Sequence, residues 1–197
     1  MLMEIRPLFP FTFRSQARRT ADELYGAIVT QARAPVFYAG SGVSDTAEGR
    51  ATMVMLHVFL VLDRLTELGP RGDRLGRFLT EAFVTDMDDC MREMGVGDLT
   101  VPAKVKRAAA ALMQRCVVYR RAAAGEDAAL AAELAATIPG LETGGPAGNM
   151  EGARELARYV RRAKAGLATI AADDLLAGRI VFAAPSVASV AAPNANR

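Results

Sequence analysis

The sequence has little of the chemistry that most enzymes need. Its 197 residues include one histidine, two cysteines and no tryptophan. A single histidine leaves few ways to build a Ser-His-Asp triad or a zinc site, because both need several reactive side chains together. Two cysteines cannot form a disulfide framework, and Cys90 and Cys116 stand at spacings typical of buried helix positions in a reducing compartment.

The sequence also has little excess of one charge sign and no long apolar run. The formal net charge is +2, which is too small to indicate a nucleic-acid or membrane partner by itself. The longest apolar run, residues 53–62, contains His57 and falls far short of the roughly 20 residues that cross a bilayer. Glu4, Pro7 and Pro10 interrupt the start of the chain, so no secretory signal peptide is expected.

What the chain does contain is apolar periodicity of the helical kind. Hydrophobic residues make up 51% of the sequence, and they recur every three or four residues in six stretches. The predicted helices span about 15–33, 46–68, 73–94, 100–121, 125–138 and 150–171. We therefore predict an all-α fold, a single-domain bundle of about six helices over residues 15–184. An extended N-terminal arm is predicted for residues 1–14 and a flexible tail for residues 185–197.

The second predicted helix is apolar on every side, as expected for a helix at the centre of a bundle. It contains His57, for which a buried neutral imidazole paired with a carboxylate or carbonyl is expected, and an acid–base or ligand role is the alternative. Asp86 interrupts the apolar stripe of the third helix, and His57, Arg50 or backbone donors are its predicted partners. Together with Asp45, the predicted cap of the second helix, these residues form an expected buried polar scaffold.

The densest stretch of charge and glycine joins the third and fourth helices and reads FVTDMDDCMREMGVGDLTVPAKVK. Residues 81–98 hold six acids and one base, and the next helix holds six bases. These two arms are expected either to pair across the corner or to present a divided face to a partner. Gly95 and Gly97 suit a turn, whereas the flanking acids argue against a phosphate loop, and no metal site is expected.

Two other segments have open interpretations. Phe37 and Tyr38 lie in a glycine-containing loop, which is predicted to be either a plug over the edge of the core or a recognition loop. The sixth helix has a basic face, for which solvation is the expected state and contact with an anionic surface is the alternative. After it, a turn and a short extended segment over residues 179–182 are predicted.

Several blocks of the sequence resemble the ubiquinol-cytochrome c chaperone family, the bacterial side of the mitochondrial assembly factors for the cytochrome bc1 complex. The blocks are LYGAIVTQAR with Phe37 and Tyr38, GVSDTAEGR before the LHVFLVLDRL helix, and FVTDMDDCMREMGVGDLTVPAKVKRAAAAL followed by Tyr119. They cover residues 24–121 in the family's order. The family's aromatic-glycine segment is altered here, where CVVYRRAAAG stands.

This resemblance implies an assembly chaperone with no catalytic residues, no cofactor and no metal, in the cytoplasm or peripheral at the inner membrane. The implied partner is newly made cytochrome b or another subunit of the bc1 complex, with no DNA bound. An adaptor that uses its basic helices on the membrane surface or the ribosome is the alternative. The expected partner-binding residues are Phe37, Tyr38, Arg92, Glu93, Gly95, Gly97, Asp98, Lys104 and Lys106, helped by exposed methionines such as Met91 or Met94.

Overall fold

The computed structural model describes residues 9–142 and 150–185 of the chain. Its helices are α1 Phe9–Ala32, α2 Val36–Ala39, α3 Ala47–Thr66, α4 Pro70–Glu93, α5 Val101–Ala123, α6 Asp127–Thr137, α7 Met150–Thr169 and α8 Ala172–Leu176. Apart from the short α2 and α8, these correspond in number and order to the six predicted helices. The described residues contain no strand, so the all-α prediction is confirmed.

The predicted N-terminal arm is wrong over residues 9–14, because α1 begins at Phe9. Pro10 occupies the first turn of this helix, where its missing N–H has no helical partner to lose, and it is therefore compatible with a helix start. Residues 1–8 of that arm lie outside the described residues. The same holds for residues 143–149 of the predicted loop before α7 and for residues 186–197 of the predicted tail.

The centre of the bundle is α3, as predicted from its apolar sequence. Residues 53–61 are all buried, and α3 packs against α1, α4, α5 and α7. A helix surrounded by four others has no face for polar side chains, which explains why its middle is apolar on every side. Each large side chain buried there contributes about 1.5–3 kcal/mol to folding.

One ionic cluster connects three helices of the bundle. Asp63 of α3 is buried; Arg120 of α5 donates to its Oδ1 at 2.6 Å, and Lys164 of α7 donates to its Oδ2. Burial acts to raise the pKa of Asp63, but the two hydrogen bonds and the two positive charges outweigh it and hold that pKa below the usual 3.8. The cluster therefore stabilises the packing of α3 with α5 and α7 while Asp63 is ionised.

We expect Asp63→Asn to lower the free energy of unfolding by about 2 kcal/mol at neutral pH, because an amide cannot neutralise two cations. The half-exposed Arg120 keeps the effect below that of a fully buried pair. Since the folded pKa is depressed, the stabilisation is complete above the unfolded value of 3.8 and is lost as the pH falls through the folded value. Urea unfolding of both proteins should show the difference closing below about pH 4.

Asp22→Asn is the matched control, because Asp22 is exposed and forms no ion pair with another described residue. It should leave the unfolding free energy within about 0.5 kcal/mol of the unchanged protein. If Asp63→Asn lowered the free energy of unfolding equally in acid and at neutral pH, the ionised carboxylate of Asp63 would not be the origin of the stabilisation.

Candidate partner-binding surface

The turn between α4 and α5 is built by backbone hydrogen bonds that need a left-handed glycine. Gly95 has φ of 75°; its N–H bonds to the carbonyl of Arg92 at 2.9 Å, and the next N–H, from Val96, bonds to that of Met91 at 3.0 Å. This pair of bonds is a Schellman motif, which satisfies carbonyls left free at the end of α4. The predicted role of Gly95 as the residue that ends the helix is confirmed.

The start of α5 has no side-chain cap, although the sequence predicts one from Asp98 or Thr100. Thr100 occupies the cap position, but neither residue caps the helix with its side chain. The Thr100 hydroxyl instead donates to the carbonyl of Gly97 at 2.8 Å. The side chain of Asp98 is drawn away by Arg92, whose Nη1 donates to Asp98 Oδ1 at 2.7 Å.

Arg92 connects the end of α4 to the turn. Besides Asp98, it binds Asp88 one helical turn earlier, with Nε donating to Oδ2 at 2.6 Å. Arg92 and Asp98 are 45% and 86% exposed, so each ion pair contributes little to stability. Their main effect is to hold one guanidinium and one carboxylate in a defined arrangement at the surface.

The corner also carries exposed apolar side chains. Met94 is 60% exposed and Leu99 is 98% exposed, whereas Met91 is half-buried. Met113 and Val117 on α5 are exposed as well, so four of the five large exposed apolar side chains in the described part of the chain lie on this corner and helix. Sequence reasoning missed Leu99. The one sequence signal for exposed apolar side chains here was the four-residue spacing of Met113 and Val117, which places both away from the buried stripe of α5.

The first turns of α5 are basic and unneutralised. Lys104, Lys106 and Arg107 are exposed, and none forms an ion pair with another described residue. Within the described ranges no ion pair joins the acids of α4 to the bases of α5, so the expected pairing across the corner is not formed, and the divided face stays a prediction. We define the corner surface as Arg92, Glu93, Met94, Asp98, Leu99, Lys104 and Lys106.

Phe37 and Tyr38 lie away from the corner surface, on the short helix α2. Phe37 is 1% exposed, and its ring packs edge-on against His57 at 5.5 Å and against Tyr159 at 5.0 Å between centroids. Phe37 is therefore not exposed to a partner at the surface, and its burial agrees with the interpretation as a plug over the core. Tyr38 is half-buried; its hydroxyl donates to the carbonyl of Ala32 at 2.7 Å.

His57 has the environment predicted for it. It is fully buried, with Nδ1 at 2.8 Å from the carbonyl of Met53 and Nε2 at 2.8 Å from the hydroxyl of Tyr159. Burial lowers the pKa of His57 to about 4, although the bond to Met53 opposes this shift. The ring is thus neutral, with Nδ1 donating to the carbonyl and Nε2 accepting from the tyrosine. With both nitrogens engaged inside the core, it cannot reach a substrate.

The rest of the predicted buried scaffold needs correction. Asp86 is bound by Tyr25 of α1, whose hydroxyl donates to Oδ2 at 2.8 Å, and not by His57, Arg50 or the backbone, because α1 packs along this face of α4. Asp45 and Arg50 pair at 2.6 Å but are 54% and 55% exposed, so they belong to the surface.

The predicted cap of α3 is also wrong by one residue. The hydroxyl of Thr46, not the carboxylate of Asp45, accepts the hydrogen bond from the N–H of Gly49, at 3.1 Å. Threonine caps a helix in the same way as aspartate, and in the TAEG sequence Thr46 stands next to the first helical residue.

Neither a metal-binding group nor a membrane-spanning helix is found in the described residues. No group of three or more histidine, cysteine, aspartate or glutamate side chains there could hold a metal ion. No described helix is both long and apolar enough to cross a membrane. What the described surface does offer is the corner surface, which combines apolar side chains with charges of both signs and suits contact with another macromolecule.

The corner surface falls inside a stretch that matches a known family. The family model described as Ubiquinol-cytochrome C chaperone matches residues 40–182. The chain belongs to the ubiquinol-cytochrome c chaperone family. The resemblance seen in the sequence blocks is thereby confirmed, and the matched range runs from the loop before α3 to the segment after α8.

A solved structure is similar to the chain in both fold and sequence. It is described as the crystal structure of the Cbp3 homolog from Brucella abortus, and it is similar to this chain with a TM-score of 0.76 and 33% sequence identity. The alignment covers 88% of this chain and 94% of that one. No curated protein matches the chain.

Proposed function

We propose that the protein is a non-catalytic assembly chaperone for the cytochrome bc1 (ubiquinol-cytochrome c reductase) complex, which binds newly made cytochrome b. Family membership over residues 40–182 is the observation that carries the proposal. The engaged, buried His57 supports a role without catalysis, and the composition of the corner surface supports a role in binding. We place its action in the cytoplasm or at the inner surface of the membrane.

In this proposal the corner surface receives the client. Met94 and Leu99 supply apolar contact, and an unbranched methionine adapts to apolar surfaces of different shapes. Arg92 and Asp98 on one side, and Lys104 and Lys106 on the other, set the orientation of the client and the rate of encounter more than its affinity. A surface of this kind holds an incomplete subunit without requiring one fixed shape.

We expect Asp98→Lys to lower the amount of assembled bc1 complex by roughly fivefold, a loss of about 1 kcal/mol of client binding, because it places a cation beside Arg92. The helical fold should remain, since Asp98 is 86% exposed and its ion pair contributes little to stability. Absorbance of haem b in membranes of the native bacterium and circular dichroism of the purified protein measure the two effects.

Asp22→Lys serves as the control, because it makes the same charge change at an exposed position on α1. It should leave the haem b content unchanged. Normal cytochrome b levels in the Asp98→Lys strain would count against the corner surface as the client site. Failure of cytochrome b to co-purify with the unchanged protein from native membranes would refute the function itself.

A second candidate function is an adaptor at the membrane surface or the ribosome, and the charge of α5 favours it. Its 23 residues contain no acid, and Lys104, Lys106 and Arg107 have no ion-pair partner among the described residues. The basic face of α7 supports it less, since Arg158 binds Glu151 and Lys164 binds Asp63. Binding to anionic vesicles or ribosomes that falls steeply with added salt would support this candidate, and no binding at low salt would exclude it.

A further inference from the structure

The segment after α8 lies along α1 without forming a helix or a strand, and we call residues 179–185 the strap. It starts beside Gly178, which lies against Thr20 and Glu23 of α1. Farther on, the side-chain amide of Gln31 donates to the carbonyl of Ala183 at 3.3 Å. Thr20 and Gln31 are about 16 Å apart along the helix axis, and five extended residues cover about the same distance. The strap is therefore nearly extended.

The side chains of the strap alternate between the core and the solvent. Ile180 and Phe182 pack against the hydrophobic core, whereas Val181 between them is 80% exposed. The ring of Phe182 meets His57 edge-on, with 5.4 Å between centroids. This alternation is that of an extended chain with one face on an apolar surface.

Beneath Phe182 lies His57, whose ring contacts Phe37 and Tyr159, and we call these three rings the floor. The centroid of His57 is 5.5 Å from that of Phe37 and 5.6 Å from that of Tyr159. The floor is built from three parts of the chain, α2, α3 and α7, and α1 forms one wall beside it through Gln31. These three rings contact one another without the strap, and we call the place that Phe182 occupies beside them the groove.

The polar atoms of this floor are paired without the strap. Both nitrogens of His57 are engaged, and the hydroxyl of Tyr159, which donates to His57, accepts from Gln31 at 3.1 Å. The strap adds the hydrogen bond from Gln31 to Ala183. From Ile180 to Pro185 its backbone makes no backbone–backbone hydrogen bond to another described residue. A segment held mainly by side-chain packing opens at low cost in free energy.

We propose that the groove beneath the strap is a second binding site, which takes an extended apolar segment of a client protein in exchange for the strap. The strap itself specifies the chemistry of this occupant: an extended backbone with two large apolar side chains two residues apart, the second of them aromatic. Recognition by alternate side chains of an extended peptide is a common binding mode. The inference rests on the proposed function, since an assembly chaperone meets such segments before its client has folded.

The strap and the client segment would then compete for one groove. Because the strap is tethered, its effective concentration at the groove is high, on the order of millimolar. The apparent affinity for an external segment is reduced by the fraction of molecules in which the strap is open. Segments that match the groove poorly are therefore excluded, and the strap can reoccupy the groove when the client folds and withdraws its own segment.

The test uses the full chain and a fluorescein-labelled peptide, GRIVFAAP, which is Gly178 followed by the strap. Phe182→Ala removes the ring that holds the strap, so the peptide should bind this variant at least about tenfold more tightly than the unchanged protein. Val181→Ala is the matched control, because Val181 faces solvent, and it should change the affinity by less than about twofold. A peptide carrying alanine in place of its phenylalanine should not bind.

The single histidine provides a second readout by proton NMR. In the unchanged protein the pKa of His57 should stay near about 4. In the Phe182→Ala protein it should rise toward the ordinary 6.5 because water reaches the ring, and the peptide should reverse this rise.

Equal peptide affinity in all of these proteins, with an unchanged pKa of His57, would overturn the proposal. The peptide assay contains no cytochrome b, so its outcome is separate from that of the proposed function. If the peptide bound as expected but cytochrome b did not co-purify from native membranes, the proposed function would be refuted and the proposed groove would stand. Recovery of cytochrome b without any peptide binding would refute the groove alone.

Discussion

Tyr159→Ala is expected to lower the free energy of unfolding by about 4 kcal/mol, the largest stability effect we predict for one side chain. Tyr159 is 2% exposed, and its ring packs edge-on against Phe37 at 5.0 Å. Its hydroxyl also donates to His57, so alanine would leave both a cavity and a buried imidazole nitrogen without its donor. Urea unfolding followed by circular dichroism measures the loss.

Tyr159→Phe separates the two contributions, because it keeps the ring and removes the hydroxyl. We expect it to cost about 1–3 kcal/mol, the penalty of leaving a buried acceptor unpaired. Tyr38→Phe is the control, since its hydroxyl belongs to a half-buried side chain that bonds to a backbone carbonyl. If Tyr159→Phe were as stable as the unchanged protein, the hydrogen bond to His57 would contribute nothing, and the whole effect of alanine would come from packing.

Leu99→Asp is expected to have the largest effect on client binding, a reduction of at least about tenfold in the cytochrome b that co-purifies with the protein. The side chain of Leu99 is 98% exposed, so it contributes almost nothing to the stability of the isolated chain. An exposed leucine at this corner favours client binding through apolar contact when the partner covers it. An aspartate at the same position opposes binding, because its carboxylate would have to lose its water.

The control for this variant is Ala132→Asp, which places the same charge at an exposed position on α6. Both variants should unfold at the same urea concentration as the unchanged protein, within experimental error. If Leu99→Asp recovered as much cytochrome b as Ala132→Asp does, the corner surface would be ruled out as the client site. The groove beneath the strap would then be the remaining site for the client.

The sequence predicts the helices of this protein well because their signals are local. An apolar sequence on every side indicates α3 as the central helix, and apolar residues three and four positions apart indicate the helix α4. A glycine after the last periodic residue marks Gly95 as the end of α4. The errors of placement are also local ones, since Thr46 and not Asp45 caps α3, and Pro10 lies inside α1.

The candidate sites could be predicted only in part. The charge and glycine of the α4–α5 turn indicate the corner, and the exposed Met94 fits that expectation. The exposure of Leu99 could not be read from its neighbours, because a leucine beside a helix start is equally suited to a core contact. The strap was predicted only as a short extended segment, with no indication that Phe182 would meet His57.

By itself, the sequence determined the all-α class, the order of the helices, the central place of α3 and the resemblance to a chaperone family. Tertiary structure alone decided the pairing of Tyr25 with Asp86, the burial of Phe37 and the cluster around Asp63. The physical reason is range: periodicity, caps and turns act over a few residues, whereas these contacts join residues at least twenty positions apart. Which polar and aromatic side chains meet across such distances depends on how the helices pack, and packing is a property of the whole chain.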